Sequence, residues 1–289
     1  MSEKPVLAVI GGSGLYHFPA LKNVKMIDID TPFGKPSAPI ALGELSGKLV
    51  AFLARHGIGH HISPTEVNYR ANIYALKAIG VERIVSVSAC GSLREDFTPG
   101  DIVIPDQLFD FTRDRARSFF GEGIVTHIGV ADPFCANLSS QLSKAVIEAK
   151  GNVHKGGTFI TIEGPRFSTR AESNIFRAWG ISIIGMTACP EAFLAREAEM
   201  CYAVMAHVTD YDVWHISEEP VSVDMVVRTL MQNTGLAQTA IQILVEEFDN
   251  TIQCDCNHAL AEAIITQHDR IPVETAQKLD LLVHKYLTR

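Results

Sequence analysis

Positive charge is the scarcer sign in this 289-residue chain: 25 Lys and Arg stand against 33 Asp and Glu, a formal net charge of −8 with His neutral. Sequence-blind nucleic-acid binding needs a basic stripe to displace counterions, so that class is excluded. Long apolar runs are also missing. No stretch reaches the roughly 18 apolar residues that a membrane span requires. The first residues turn glycine-rich at Gly11 after a short apolar run, too short for the core of a secretory signal. A cytoplasmic location is expected. There is no internal repeat, low-complexity tract or linker rich in Pro, Gly or Ser. With 47% hydrophobic and 20% charged residues, disorder as the main state is excluded.

Cysteine is sparse, with 6 in the chain. Cys90, Cys135, Cys189 and Cys201 are scattered and read as small buried hydrophobes. Cys254 and Cys256, one residue apart, are a different matter. They suit a structural or redox bridge, half of a metal site, or plain free thiols. No second Cys pair with zinc spacing accompanies them, so no metal is expected.

What the chain does have is a series of Val- and Ile-rich runs of strand length. They cover 6–10, 49–53, 84–87, 102–104, 159–162, 181–184 and 203–208, and they lack strict polar alternation, which predicts strands covered on both faces. Helical patterns lie between them over 67–79, 138–149, 171–179 and 191–200, the first three each followed by Gly80, Gly151 or Gly180 as a stop. Ser222 caps a long helix bearing Val223, Val226, Val227 and Leu230 on one face. Beyond about residue 250, one or two further helices are expected. The alternation predicts one α/β domain over 1–289, a central sheet flanked by helices, with 250–289 as a helical extension.

Chemistry gathers at strand ends. The run to Ile10 enters Gly11-Gly12-Ser13-Gly14, where backbone N–H groups and the Ser13 hydroxyl can cradle an anion. A dinucleotide fingerprint would want glycine where His17 stands. Arg55 closes the next strand and can aim a planar fork at phosphate, or make an ion pair. His56, His60 and His61 suggest a metal, but Gly57 and Gly59 interrupt the helix that would align them. Ser88-Ala89-Cys90-Gly91-Ser92 and Gly185-Met186-Thr187 place small or hydroxyl-bearing residues after two more apolar runs. Asp210 and Asp212 end the most hydrophobic run. They can read an amino-and-imine edge, bind a hard metal ion or sit in a solvated turn, and their proximity raises one pKa.

These segments, with Val67 to Ile73 and Ile162-Glu163-Gly164-Pro165-Arg166-Phe167-Ser168, resemble in unbroken order over about residues 5–245 the 5′-methylthioadenosine phosphorylases of the trimeric purine nucleoside phosphorylase family. The resemblance implies a distorted mixed central sheet and the reaction of 5′-methylthioadenosine with inorganic phosphate, a co-substrate, without a cofactor. By the same resemblance Ser13, Arg55, His56, Ser88, Ala89 and Thr187 hold phosphate, and Met186 lies against ribose and base. Phe167 stacks on the purine, Asp210 and Asp212 are the catalytic pair facing its N7 and 6-amino edge, and Ser168 and Val223 tune the substrate. His127 is implied to reach the 5′ group across a subunit boundary, in a homotrimer or a dimer of trimers. In some longer members a Cys-x-Cys pair like Cys254 and Cys256 forms a disulfide. Relatives acting on inosine or guanosine carry Asn at the base-reading position, so Asp210 favours the 6-amino side.

Overall fold

The side chains of each central strand divide between two apolar layers, and that division sets the architecture. The computed structural model describes residues 4–11, 18–215, 221–249 and 254–287; the expected anion cradle at Gly12, Ser13 and Gly14 lies outside the described residues. The strands are β1 (Leu7–Gly11), β2 (Lys22–Ile27), β3 (Ile40–Leu45), β4 (Lys48–Ala54), β5 (Arg83–Ser92), β6 (Ile102–Ile104), β7 (Gln107–Phe111), β8 (Val153–Lys155), β9 (Thr158–Ile162), β10 (Ile183–Gly185) and β11 (Cys201–Asp210). The helices are α1 (Tyr69–Ala78), α2 (Ala136–Glu148), α3 (Arg170–Ala178), α4 (Ala188–Glu197), α5 (Val223–Glu247), α6 (Val273–Lys278) and α7 (Asp280–Leu287).

Ala8 and Ile10 of β1 join a core containing Ile73 and Leu76 of α1 and Leu194 of α4. Leu7 and Val9 face the other way, into a core with Leu142 of α2 and Ile241 of α5. The same alternation runs through Val50 to Leu53 and Tyr202 to Val208. Each of the larger of these side chains contributes roughly 1.5–3 kcal/mol by leaving water, so a sheet with apolar residues on both faces is stable only when helices cover both. The expected two-sided α/β sheet is what forms.

The sheet is mixed. β1 runs parallel to β4 and β5, β5 parallel to β11, and β10 antiparallel to β5. The hairpin β3–β4 and the edge strand β2 are antiparallel. Polar or short strands such as β2 and β8 carry no continuous apolar run and were not expected. Helix ends follow their sequence signals. Gly80 and Gly180 adopt φ of 84° and 79° just past α1 and α3, a conformation that costs other residues a Cβ clash. After α2 the left-handed position belongs to Lys150, not Gly151. Thr169 and Glu172 form a reciprocal capping box on α3, and the Ser222 hydroxyl accepts the N–H of Met225 at the start of α5.

The C-terminal extension is bound to the main body. Leu279, Leu282 and Val283 of α6–α7 enter the α1-side core, and Thr126 pairs with Ile264 in an antiparallel bridge. No helix among the described residues is long and apolar enough to cross a membrane.

Candidate active site

The site arises where the sheet forks. One edge of β5 pairs with β1 through Ile84 to Ser86, and with β10 through Gly91 and Ser92. Val87 to Cys90 have no strand partner on that edge among the described residues. Serine, alanine and cysteine were expected to follow a strand here; they lie within one, because β11 continues to pair with β5 along the opposite edge. A cavity of about 310 Å³ opens against the fork. Its walls include Arg55, His56, Ser88, Ala89, Phe167, Ser168, Met186, Thr187, Asp210, Asp212 and Val223. Residues from six separate stretches of the chain thus meet in one space. Of the remaining sequence candidates, Ser13 lies outside the described residues. His127 is exposed, away from this cavity, on a segment whose backbone bonds to Ala263.

Arg55, expected to offer its fork to an anion, lines the cavity but is 1% exposed and bonded chiefly to protein. Its Nε and Nη2 donate to the two carboxylate oxygens of Glu191 at 2.8 and 3.0 Å. Nη2 also donates to Ser86 Oγ at 2.6 Å, and weaker bonds reach the carbonyls of Val87 and Ile10. Tyr202 adds its hydroxyl to Glu191 at 2.8 Å. Burial works against the Arg55 charge, and Glu191 outweighs it, leaving the guanidinium firmly ionised. The arginine therefore ties β1, β5 and α4 together at the cavity wall, with its charge already balanced by Glu191.

The groups left to meet an anion are neutral. Ser88 Oγ and Thr187 Oγ1 lie 3.4 Å apart, joining β5 to the start of α4. Thr187 makes no side-chain cap on that helix, which leaves its hydroxyl for a guest. The His56 ring stacks on His60 with centroids 4.4 Å apart. Burial, followed by the Arg55 charge, depresses its pKa to about 4, so the ring is neutral at pH 7. Its Nδ1 lies 2.9 Å from the Ile62 carbonyl, which only accepts, so Nδ1 carries the proton.

The opposite end of the site is acidic. Asp210 Oδ2 accepts from the Thr209 hydroxyl at 2.6 Å, and Oδ1 accepts the Asp212 N–H at 2.7 Å. Burial raises the Asp210 pKa to about 6 against these two bonds. Asp212 is raised too, chiefly by burial, while the Ser173 and Ser168 hydroxyls pull it down. The Ser168 bond measures 3.2 Å to Oδ1; among the described residues no well-aligned bond reaches the buried Oδ2. A buried acceptor without a partner is costly, and a ligand donor is the natural remedy. Gly91 makes the arrangement possible. A Cβ there would stand 2.9 Å from Asp210 Oδ1 and 3.1 Å from Ile184 Cγ2, so the missing side chain leaves room for the aspartate rather than directly for a ligand.

Three further participants have no local sequence signal. Glu191 neutralises Arg55 from 136 positions away. Arg115, buried, donates to the carbonyls of Met186 and Cys189 at 2.7 Å and of Glu163 at 2.6 Å, fixing two loops of the cavity rim. It also pairs with the Glu163 carboxylate, which burial would raise but N–H donors at Arg113 and Asp114 and the Thr65 hydroxyl help hold near 2. His207 lines the cavity with both ring nitrogens unpartnered among the described residues, and burial keeps it neutral, with a pKa of about 4.

Comparisons place this geometry among known proteins. The model for the family described as Phosphorylase superfamily matches residues 6–248. A protein of Geobacter sulfurreducens named S-methyl-5′-thioadenosine phosphorylase is 54% identical, with 98% of this chain and 99% of that protein covered. One of the same name from Koribacter versatilis is 49% identical over 97% and 96%. Among solved structures, a methylthioadenosine phosphorylase from an antarctic soil metagenomic library superposes with a TM-score of 0.92 at 48% identity, covering 97% and 99% of the two chains. The Schistosoma mansoni methylthioadenosine phosphorylase, solved in complex with adenine, gives 0.84 at 38% identity over 89% and 97%.

Proposed function

The chain belongs to the Phosphorylase superfamily, and from that premise we propose that it cleaves 5′-methylthioadenosine with inorganic phosphate, releasing adenine and 5-methylthioribose 1-phosphate. The observation that carries this reading is the opposition, within one cavity, of a neutral hydroxyl pair, Ser88 and Thr187, to the buried acid pair, Asp210 and Asp212. Membership of the Phosphorylase superfamily and the near full-length likeness to the Geobacter relative support it.

The bond between C1′ and the purine N9 breaks with its electron pair moving onto the base, leaving positive charge on the ribosyl ring. Phosphate oxygen then forms the new bond to C1′. Asp210, near its titration point at neutral pH, carries the proton that N7 needs as the base departs, and Asp212 offers its open oxygen to the 6-amino edge. Ser88, Thr187, the His56 ring, the Ala89 backbone and Ser13 hold phosphate by hydrogen bonds rather than by a free cation. Phe167 and Met186 cover base and ribose, while Ser168 and Val223 shape the pocket around them. His127 comes from a neighbouring subunit to the methylthio group, so the active unit is a trimer or a dimer of trimers. Such a reaction serves methionine and purine salvage in the cytoplasm.

The test is a nucleoside panel with and without phosphate, following adenine against hypoxanthine release. Phosphate-independent release, or hypoxanthine as the preferred product, defeats the proposal. Two variants divide the site. Thr187→Val removes a hydroxyl donor to an ion, a loss typically of about 1.5–3 kcal/mol. The phosphate KM should rise roughly tenfold or more while the nucleoside KM barely moves; equal shifts in both would remove Thr187 from the phosphate end. Gly91→Ala, by contrast, should lower kcat by displacing Asp210 and leave the phosphate KM nearly unchanged, a split that initial-rate kinetics resolves.

A further inference from the structure

Four of the six cysteines converge away from the active-site cavity. Cys135 stands at the N-cap of α2, Cys201 opens β11, and Cys254 and Cys256 flank the first residue of a short turn of helix, Asp255–His258. Their sulfur atoms all lie within 4.8 Å of one another, and Cys201 Sγ is 3.2 Å from Cys254 Sγ. All are free thiols. Three distant parts of the chain thus deliver four sulfurs to one point. The chain carries no second cysteine pair of zinc spacing, because the fold assembles that pair from Cys135 and Cys201.

We propose that Cys135, Cys201, Cys254 and Cys256 bind one thiophilic divalent cation, zinc by preference, as a four-thiolate structural site. Four sulfurs on a tetrahedron around zinc, each about 2.3 Å from the metal, stand a little under 4 Å apart. The cluster needs only small side-chain shifts to reach that spacing. Ligand chemistry agrees: thiolate sulfur with no carboxylate or imidazole in the set selects zinc over hard cations. The surroundings suit thiolates as well. Cys135 sits where the N–H groups of a 13-residue helix point outward. Arg196 places Nη1 3.5 Å from Cys256 Sγ while its Nη2 is fixed on the Asp132 carbonyl at 2.6 Å, so a cation is held beside the excess negative charge of a four-thiolate centre. Cys201 and Cys254 are half-buried, which leaves a route for the ion to enter. The position explains what the site would do. The family match ends at residue 248, and the ion would fasten the extension beyond it to α2 and β11 of the main body.

The test uses the full-length protein purified under a metal-free reducing agent. Elemental analysis should give about one zinc per chain. Exchange with cobalt(II) should produce the intense sulfur-to-cobalt charge-transfer absorption and the visible bands of a tetrahedral thiolate site. A Cys254→Ser/Cys256→Ser variant should lose the bound metal and its cobalt spectrum and melt at a lower temperature while keeping turnover at moderate temperature. A Cys189→Ser control should keep the metal. Because the double variant could fail to fold, cobalt titration of the unmodified protein stands on its own. Absence of metal together with failure of the reduced protein to take up zinc or cobalt overturns the site. So does non-reducing peptide mapping that finds these cysteines joined as disulfides in the native protein.

Discussion

Asp210→Asn should lower kcat/KM for 5′-methylthioadenosine by a hundredfold or more, the usual scale for losing a proton donor, and shift the preference toward 6-oxo nucleosides. An amide cannot deliver a proton to N7. It can, however, turn its NH₂ toward the oxygen of a 6-oxo purine, where a carboxylate presents a like-signed atom. A mispaired buried polar group discriminates strongly, so the ratio of kcat/KM for 5′-methylthioadenosine to that for inosine is the quantity to measure. Asp212 holds part of the selectivity, which makes the expected switch partial. The pH dependence gives a second readout. Burial lifts Asp210 to about 6, so its proton is lost as pH rises through that value, and kcat should decline on that limb. The native state binds this proton more tightly than the unfolded chain does. Its contribution to stability is therefore complete below the ordinary carboxyl pKa near 4 and lost as pH climbs through about 6. Asparagine removes both effects. A folded variant with an unaltered substrate ratio would show that Asp210 does not read the base.

Arg55→Ala should be felt first in stability. The substitution strands Glu191, fully buried, without its partner, and breaking such a pair from one side typically costs about 3–5 kcal/mol. For a domain of this size the melting temperature should fall on the order of 10 °C. Replacing both partners by apolar residues, Arg55→Met with Glu191→Leu, should recover much of that loss, because no buried charge is left alone. The cycle of single and double variants by thermal denaturation decides the matter. If Arg55→Ala melts with the parent protein and only the phosphate KM rises, the guanidinium serves the anion after all.

Arg55 also marks where the sequence stops being legible. Its place at the end of an apolar run located it in the crevice wall, correctly, because strand ends of a covered sheet converge there. Its engagement was not visible, since Glu191 lies on α4 and only the fold brings it near. The aspartates were readable for the opposite reason: Asp210 and Asp212 are neighbours in the chain, so the hydrogen bond between them is local. Covered strands such as β1 and β11 announce themselves by unbroken apolar runs, whereas β2, with five of its six residues exposed, has no such pattern to find. The cysteine cluster follows the same logic. Cys254 and Cys256 are conspicuous together; Cys135 and Cys201 look like ordinary core residues until β11 places one of them.

The pairing of β5 with β11 sets the order in which the molecule can come together. Arg83 meets Cys201 across more than a hundred residues of chain, and the register continues to Gly91 beside Asp210. Closing so long a loop costs chain entropy before any contact repays it, so such pairings are slow to form. The hairpin of β3 and β4 involves only neighbouring chain and can assemble early. Ser88 and Asp210 come to line one cavity only when β11 docks on β5. The pocket therefore depends on one of the longest-range pairings in the chain, and local secondary structure can form without it.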